Sequence, residues 1–184
     1  MRKTALLFLF AVVITMSLVS CDSTRTDGDC LGYQLQPFEL SARITLDGND
    51  FTCDVTSMPS EKISITVTDP GRLNGLCFEM ADGSENEFTV TIGGTSFKCD
   101  GEYARKNGVI AAAVLFRIAK ESFVDAEVIE ASGVRLNAAD FLWDFGRARV
   151  FLDTDGIPHR IEGNVYGHEI TVVVENFKII REEQ

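Results

Sequence analysis

Strict alternation of apolar and polar residues is the feature that most limits what this chain can fold into. Every second residue is apolar in residues 38–46, 51–55 and 63–67. Successive side chains of a strand point to opposite faces, so this pattern predicts strands with one buried face. Asp47-Gly48-Asn49 lies between the first two stretches and is typical of a tight hairpin turn. The sequence therefore predicts an antiparallel meander.

More strands are predicted further along the chain. Asp69-Pro70-Gly71 ends the third strand, because proline has no N–H to donate to the ladder. The same reasoning predicts six more strands, at residues 76–80, 88–92, 96–99, 150–152, 157–164 and 170–180. Residues 124–131 fit a strand, and residues 134–146 fit either a strand or a helix.

One segment breaks the alternation. Residues 109–119, with the sequence VIAAAVLFRIA, contain a single charged residue, Arg117. A helix that is apolar nearly all round is normally buried, and this segment is far shorter than the roughly 20 residues that cross a bilayer. We therefore predict an α+β fold: a mainly antiparallel, incomplete β-barrel with a buried helix on its concave face.

The first 20 residues are typical of a secretory signal. Arg2 and Lys3 precede an apolar run over residues 5–19, which is too short for a permanent membrane span. Leu18-Val19-Ser20-Cys21 resembles the bacterial lipobox, whose cysteine receives a diacylglyceryl group and becomes the first mature residue. Such an anchor is durable because it buries at least two acyl chains. An ordinary cleaved signal followed by a chance cysteine is the alternative.

The lipobox resemblance also implies a location. It places the mature chain on the extracytoplasmic face of the cell membrane, held by acyl lipid on Cys21. Asp22 follows, and in diderm lipoproteins an aspartate there tends to keep the protein on the inner membrane. The predicted division is a signal peptide over residues 1–20, a flexible polar tether over 21–36 and one domain over 37–184.

The net charge of the chain limits its possible binding partners, and the cysteines limit its possible disulfides. The formal net charge is −11, so nucleic acid and anionic membrane surfaces would repel the chain, and no nucleic-acid partner is expected.

Beyond Cys21 four exported cysteines remain, namely Cys30, Cys53, Cys77 and Cys99. They allow three disulfide pairings, and buried free thiols are the alternative. None is spaced as C-x-x-C, which leaves zinc and redox motifs unsupported.

Catalytic motifs are scarce. The two histidines, His159 and His168, fall on the last hairpin, where a turn near Tyr166 would place His159 opposite Thr171 or Val172. The imidazoles are therefore not expected to meet. No G-x-S-x-G motif occurs, so the familiar serine-hydrolase elbow is missing. We predict a protein that is not an enzyme, with no catalytic residue, metal or cofactor.

Three short motifs carry a family resemblance. Residues 70–76, PGRLNGL, look like a strand-breaking P-x-x-L-x-G-L element. Gly156-Ile157-Pro158 with Ile161 is similar to a G-x-P-x-x-I hairpin, and residues 171–177 look like a final strand. Together they resemble the LolA/LolB-like lipoprotein carrier fold, which includes LppX- and LprG-like lipoproteins and many uncharacterised bacterial members.

The resemblance implies an apolar cavity between the sheet and its covering helix, which in carrier members takes lipid acyl chains. The residues expected to line such a cavity come from the strands and from the apolar segment: Ile63, Ile65, Val67, Phe78, Phe88, Val90, Ile110, Val114, Leu115 and Ile118. The predicted function is binding of a lipid or another apolar ligand. The alternative is a structural or protein-interaction module of the cell envelope with a filled core.

Overall fold

The computed structural model describes residues 29–82, 87–100 and 106–181. These residues contain eleven strands: β1 (Phe38–Leu46), β2 (Asn49–Met58), β3 (Lys62–Asp69), β4 (Cys77–Ala81), β5 (Glu87–Ile92), β6 (Thr95–Asp100), β7 (Phe123–Ala131), β8 (Val134–Trp143), β9 (Gly146–Leu152), β10 (Pro158–Val165) and β11 (His168–Ile179). They also contain one α-helix, α1 (Gly108–Leu115), and three 3-10 helices, at Asp29–Leu35, Gly71–Leu73 and Lys120–Ser122.

All eleven strands form one antiparallel sheet in the order β6-β5-β4-β3-β2-β1-β11-β10-β9-β8-β7. The first and last strands therefore meet in the middle, where Phe38 pairs with Ile179. The two edge strands, β6 and β7, follow each other in sequence but lie at opposite ends of the sheet. The chain between them has to cross the whole sheet, and α1 lies in that crossing.

Helix α1 rests on the concave face of the sheet. It contacts β3 and β4 on one side and β10 and β11 on the other, and seven of its eight residues are buried. Asn107 caps it, because its side-chain oxygen accepts hydrogen bonds from the backbone N–H groups of Val109 and Ile110, at 3.0 and 3.4 Å. The cap satisfies donors that would otherwise lack partners in the first turn.

Rows of apolar side chains cross the concave face beneath the helix. Ile65 pairs with Phe78, Phe78 with Val90, and Val90 with Phe97. Ile65 and Phe78 are buried, Val90 is half-buried and Phe97 is exposed. The concave face is therefore covered at β3 and β4 and open to solvent at β6. This arrangement confirms the predicted open half-barrel with a buried helix.

The described N-terminal stretch differs from the predicted tether. Asp29–Leu35 forms a 3-10 helix in which Leu31 and Tyr33 are buried. The Tyr33 ring packs against Phe38 and Phe177, with centroids 5.8 and 6.2 Å away. Residues 29–35 therefore belong to the packed domain, and the prediction of a tether up to residue 36 is wrong there. The predicted signal peptide and Cys21 lie outside the described residues.

The region that the sequence left ambiguous is also extended. Residues 134–146, which fitted strand or helix, form β8 and the turn into β9. β7 and β8 make a long hairpin in which Ala126 pairs with Ala139. Across the described residues, no helix has the length and apolar character required to cross a membrane.

Candidate functional site

A cleft of about 320 Å³ opens where α1 ends. Its walls come from the last turn of α1 and the residues after it, the N-terminal 3-10 helix, the β2–β3 turn and the end of β4. The apolar residues of the lining are Leu31, Leu35, Pro59, Met80, Ala81, Val114 and Ile118. Ligand pockets usually measure about 300–1,000 Å³, so this cleft has room for a slender apolar group.

The deeper part of the lining is preorganised by the core. Leu31, Met80, Val114 and Ile118 are each less than a tenth exposed, because they also pack between the sheet and the helix. Leu35 at the entrance is exposed. The cleft therefore has a fixed apolar floor and an exposed apolar side chain at its entrance, an arrangement that suits an elongated apolar group.

Polar residues surround the entrance, namely Gln34, Ser60, Asp82, Arg117 and Lys120. The Arg117 guanidinium forms an ion pair with Asp82 and donates from Nη2 to the carbonyl oxygen of Met58 at 2.9 Å. Its side chain is 16% exposed. Arg117 therefore ties the segment after α1 to the ends of β2 and β4 and fixes one wall of the cleft.

Two of the predicted lining residues, Val114 and Ile118, do line this cleft. Seven others are buried in the core between α1 and the sheet: Ile63, Ile65, Val67, Phe78, Phe88, Ile110 and Leu115. Val90 is partly buried against the same core. The predicted set therefore forms the packed interface of helix and sheet, and only its end next to the β2–β3 turn reaches the cleft.

Sequence reasoning missed Leu31 and Leu35, because it assigned them to the tether. It also missed Met80 as a lining residue, although it placed Met80 on a strand. The spacing of Leu31 and Tyr33, two residues apart in a polar stretch, was the available signal for a packed segment.

The four described cysteines form no disulfide. Cys30 and Cys53 are buried, whereas Cys77 and Cys99 are partly exposed. Burial raises the pKa of the Cys53 thiol to about 12, and a protonated buried thiol is inert. Two of the four thiols are therefore buried, and Cys77 Sγ lies 3.2 Å from the hydroxyl oxygen of Ser64.

The two histidines have different carboxylate neighbours. His168 Nδ1 lies 2.7 Å from Asp47 Oδ2, and His159 Nε2 lies 3.9 Å from Asp153 Oδ2. The register predicted for His159 is wrong, because Val172 pairs with Ile161 and not with His159. Within the described residues no group of three or more His, Cys, Asp or Glu side chains is placed to hold a metal ion.

Solved structures share this fold. A putative outer membrane lipoprotein-sorting protein domain from Vibrio parahaemolyticus aligns over 87% of this chain and 94% of its own, with a TM-score of 0.52 and 7% identity. An uncharacterized conserved protein from Thermus thermophilus aligns over 84% and 86%, with a TM-score of 0.51 and 12% identity. MucB aligns over 88% of this chain and 62% of its own, with a TM-score of 0.51 and 12% identity.

The fold of this chain is thus the half-barrel that it shares with the putative lipoprotein-sorting domain, which confirms the predicted resemblance at the level of the fold. At sequence identities of 7% to 12%, the similarity to these structures establishes the fold alone. No protein-family model and no curated protein matches the sequence.

Proposed function

We propose that this chain is a lipid-anchored, extracytoplasmic lipoprotein that binds an apolar chain in the cleft at the end of α1. The observation that carries the proposal is the cleft itself, about 320 Å³ in volume, with the buried side chains of Leu31, Met80 and Ile118 in its lining. Apolar cavities of fixed shape bind apolar ligands, because the ligand removes its own surface from water without disturbing the protein.

The fold supports the same proposal. The half-barrel is shared with a domain described as putatively sorting outer membrane lipoproteins, a task in which acyl chains have to be shielded from water. The concave face of this chain is apolar, and α1 covers part of it. Because α1 leaves an opening at one end of this face, the end of an acyl chain has a route into the cleft there.

The proposed anchor would keep the cleft close to a membrane. Leu31 lines the cleft and lies ten residues after Cys21. Ten residues span at most about 35 Å even when fully extended. A lipid on Cys21 would therefore hold the cleft within about one bilayer thickness of the membrane surface, where apolar molecules are available for uptake.

Uptake of a fluorescent fatty acid tests the proposal. The protein would be residues 22–184, which retain every described core residue, and the probe would be cis-parinaric acid. Leu35 lies at the entrance of the cleft and is exposed, so Leu35→Trp should obstruct the entrance without disturbing the core. We expect saturable uptake by the parent chain and at least a tenfold loss in Leu35→Trp.

Ala131→Trp is the matched control, because Ala131 is exposed at the end of β7 and far from the lining. It should bind the probe as the parent chain does. Absence of uptake by the parent chain, or equal uptake by Leu35→Trp, would contradict the proposal.

The filled interface beneath α1 favours a second candidate function, a protein-interaction module of the envelope. Toward β6 the concave face is uncovered, and Ile92 and Phe97 are 56% and 54% exposed. A photo-crosslinking residue at Phe97 in membrane-anchored protein tests this candidate. Specific adducts at position 97, with none at Thr89 on the other face, would support it, and a lack of adducts would count against it.

A further inference from the structure

The entrance of the cleft carries positive charge on a strongly acidic chain. The formal net charge is −11, yet two cations, Arg117 and Lys120, line the cleft together with one carboxylate, Asp82. Glu61 and Glu121 adjoin lining residues in sequence but do not line the cleft themselves. Among the lining residues that the structure describes, the balance of charge is therefore opposite to that of the whole molecule.

The two cations are not equivalent. Arg117 is already engaged, since it pairs with Asp82 and donates to the carbonyl oxygen of Met58. Lys120 is exposed at the start of a 3-10 helix, and no carboxylate among the residues that the structure describes forms an ion pair with it. Its ammonium group is thus available to a ligand, beside an apolar floor formed by Val114 and Ile118.

We propose that the cleft selects a single-chain amphiphile with an anionic head group, whose chain contacts the apolar lining while Lys120 pairs with the head. This inference rests on the proposed function and adds the class of ligand to it. The volume of about 320 Å³ is at the lower end of the range for ligand sites, which favours one chain over two. An anionic head complements Lys120, whereas a cationic head is repelled by it.

Ten-carbon amphiphiles that differ only in the head group test the inference. Decanoate, decanol and decyltrimethylammonium would each displace the neutral dye phenylnaphthylamine from residues 22–184. An exposed ion pair changes an equilibrium constant by up to about fivefold. We therefore expect decanoate to bind up to about fivefold more tightly than decanol, and the ammonium amphiphile to bind most weakly.

Substitution at the lysine identifies its role. Lys120→Gln should bring the ratio of decanoate to decanol affinity close to one. Lys98→Gln is the matched control, because Lys98 is also exposed but lies on β6 outside the cleft lining, and the ratio should stay that of the parent chain. An unchanged ratio in Lys120→Gln would overturn the inference.

The remaining outcomes separate this inference from the proposed function. Equal affinity for all three heads would refute the anionic selectivity and leave apolar binding in place. Failure of all three to displace the dye would refute both. Inorganic phosphate, at matched ionic strength, should not compete with decanoate. Competition would show a free-anion site in place of an amphiphile site and would also overturn the inference.

Discussion

Leu115 of α1 packs directly over Gly163 of β10. A Cβ placed on Gly163 would lie 2.7 Å from Leu115 Cδ2 and 3.1 Å from the carbonyl oxygen of Arg147. The missing side chain thus creates the space that the end of the helix occupies, and the position of α1 on the sheet depends on it. At the other end of the helix, a Cβ on Gly108 would lie 2.5 Å from Leu46.

Gly163→Ala should therefore destabilise the protein. Overpacking a tight interface costs about 1–3 kcal/mol, and the backbone of Arg147 leaves the new methyl group little freedom. Chemical denaturation would measure the loss. Leu115→Ala in the same chain should reduce the cost of Gly163→Ala, since the two positions are in contact. Gly71→Ala has nothing within 4 Å, and a comparable loss there would refute the explanation.

Loss of the helix cap should destabilise α1 and its packing on the sheet. Asn107→Ala removes the acceptor of two backbone N–H groups, and such a change costs about 1 kcal/mol. Asn107→Asp keeps an acceptor and should retain most of the stability. Asn74→Ala, in an exposed turn, is the matched control. Equal midpoints of urea unfolding for Asn107→Ala and the parent chain would contradict the capping role.

The pair of Asp47 and His168 should make stability sensitive to acid. The hydrogen bond from His168 is the main cause that lowers the pKa of Asp47, and the backbone N–H of Glu169 adds to it. A carboxylate with a lowered pKa in the folded state contributes stability above its unfolded pKa of about 3.9, and that contribution is lost as the pH falls through the folded pKa.

Asp47→Asn should therefore lower Tm at neutral pH and flatten the fall in Tm below about pH 4. Asn tolerates the positive φ of 48° at this position, so the backbone of the turn is preserved. Tm would be measured from pH 3 to pH 7, with Glu130→Gln on the exposed edge strand as the control. An unaltered pH profile in Asp47→Asn would show that the pair contributes nothing.

The cysteines should differ in reactivity. Cys77 and Cys99 are partly exposed and should react with a thiol reagent in the folded protein, whereas Cys30 and Cys53 are buried and should react only on unfolding. The raised pKa of Cys53 slows it further, because the thiolate is the nucleophile. Peptide mapping after labelling gives the result for each cysteine. Rapid native labelling of Cys53 would be inconsistent with its buried position.

Period-two alternation was sufficient to predict strands where one face is buried. β1 to β3 alternate because their apolar side chains meet α1 and the core. The same signal is weak in β7, an edge strand whose residues are mostly exposed on both faces, so nothing constrains every second residue to be apolar. The structure of residues 29–35 was missed for a related reason, since only Leu31 and Tyr33 in that stretch carry large buried side chains.

The site was predictable only in part. The apolar segment contains Val114 and Ile118, which line the cleft, but its composition does not tell which apolar residues meet packed neighbours and which meet an opening. That distinction depends on Leu31 and Met80, which the fold brings from two other elements. The role of Arg117 likewise depends on the ends of β2 and β4, far away in sequence.

The pairing of Phe38 with Ile179 has a consequence for biogenesis. β1 is synthesised well before β11, its second neighbour in the sheet. Until β11 pairs with it, one hydrogen-bonding edge of β1 stays open to any other extended chain. Pairing between strands this far apart in sequence slows folding, so β1 is exposed to mispairing until the twelve-residue strand β11 is in place.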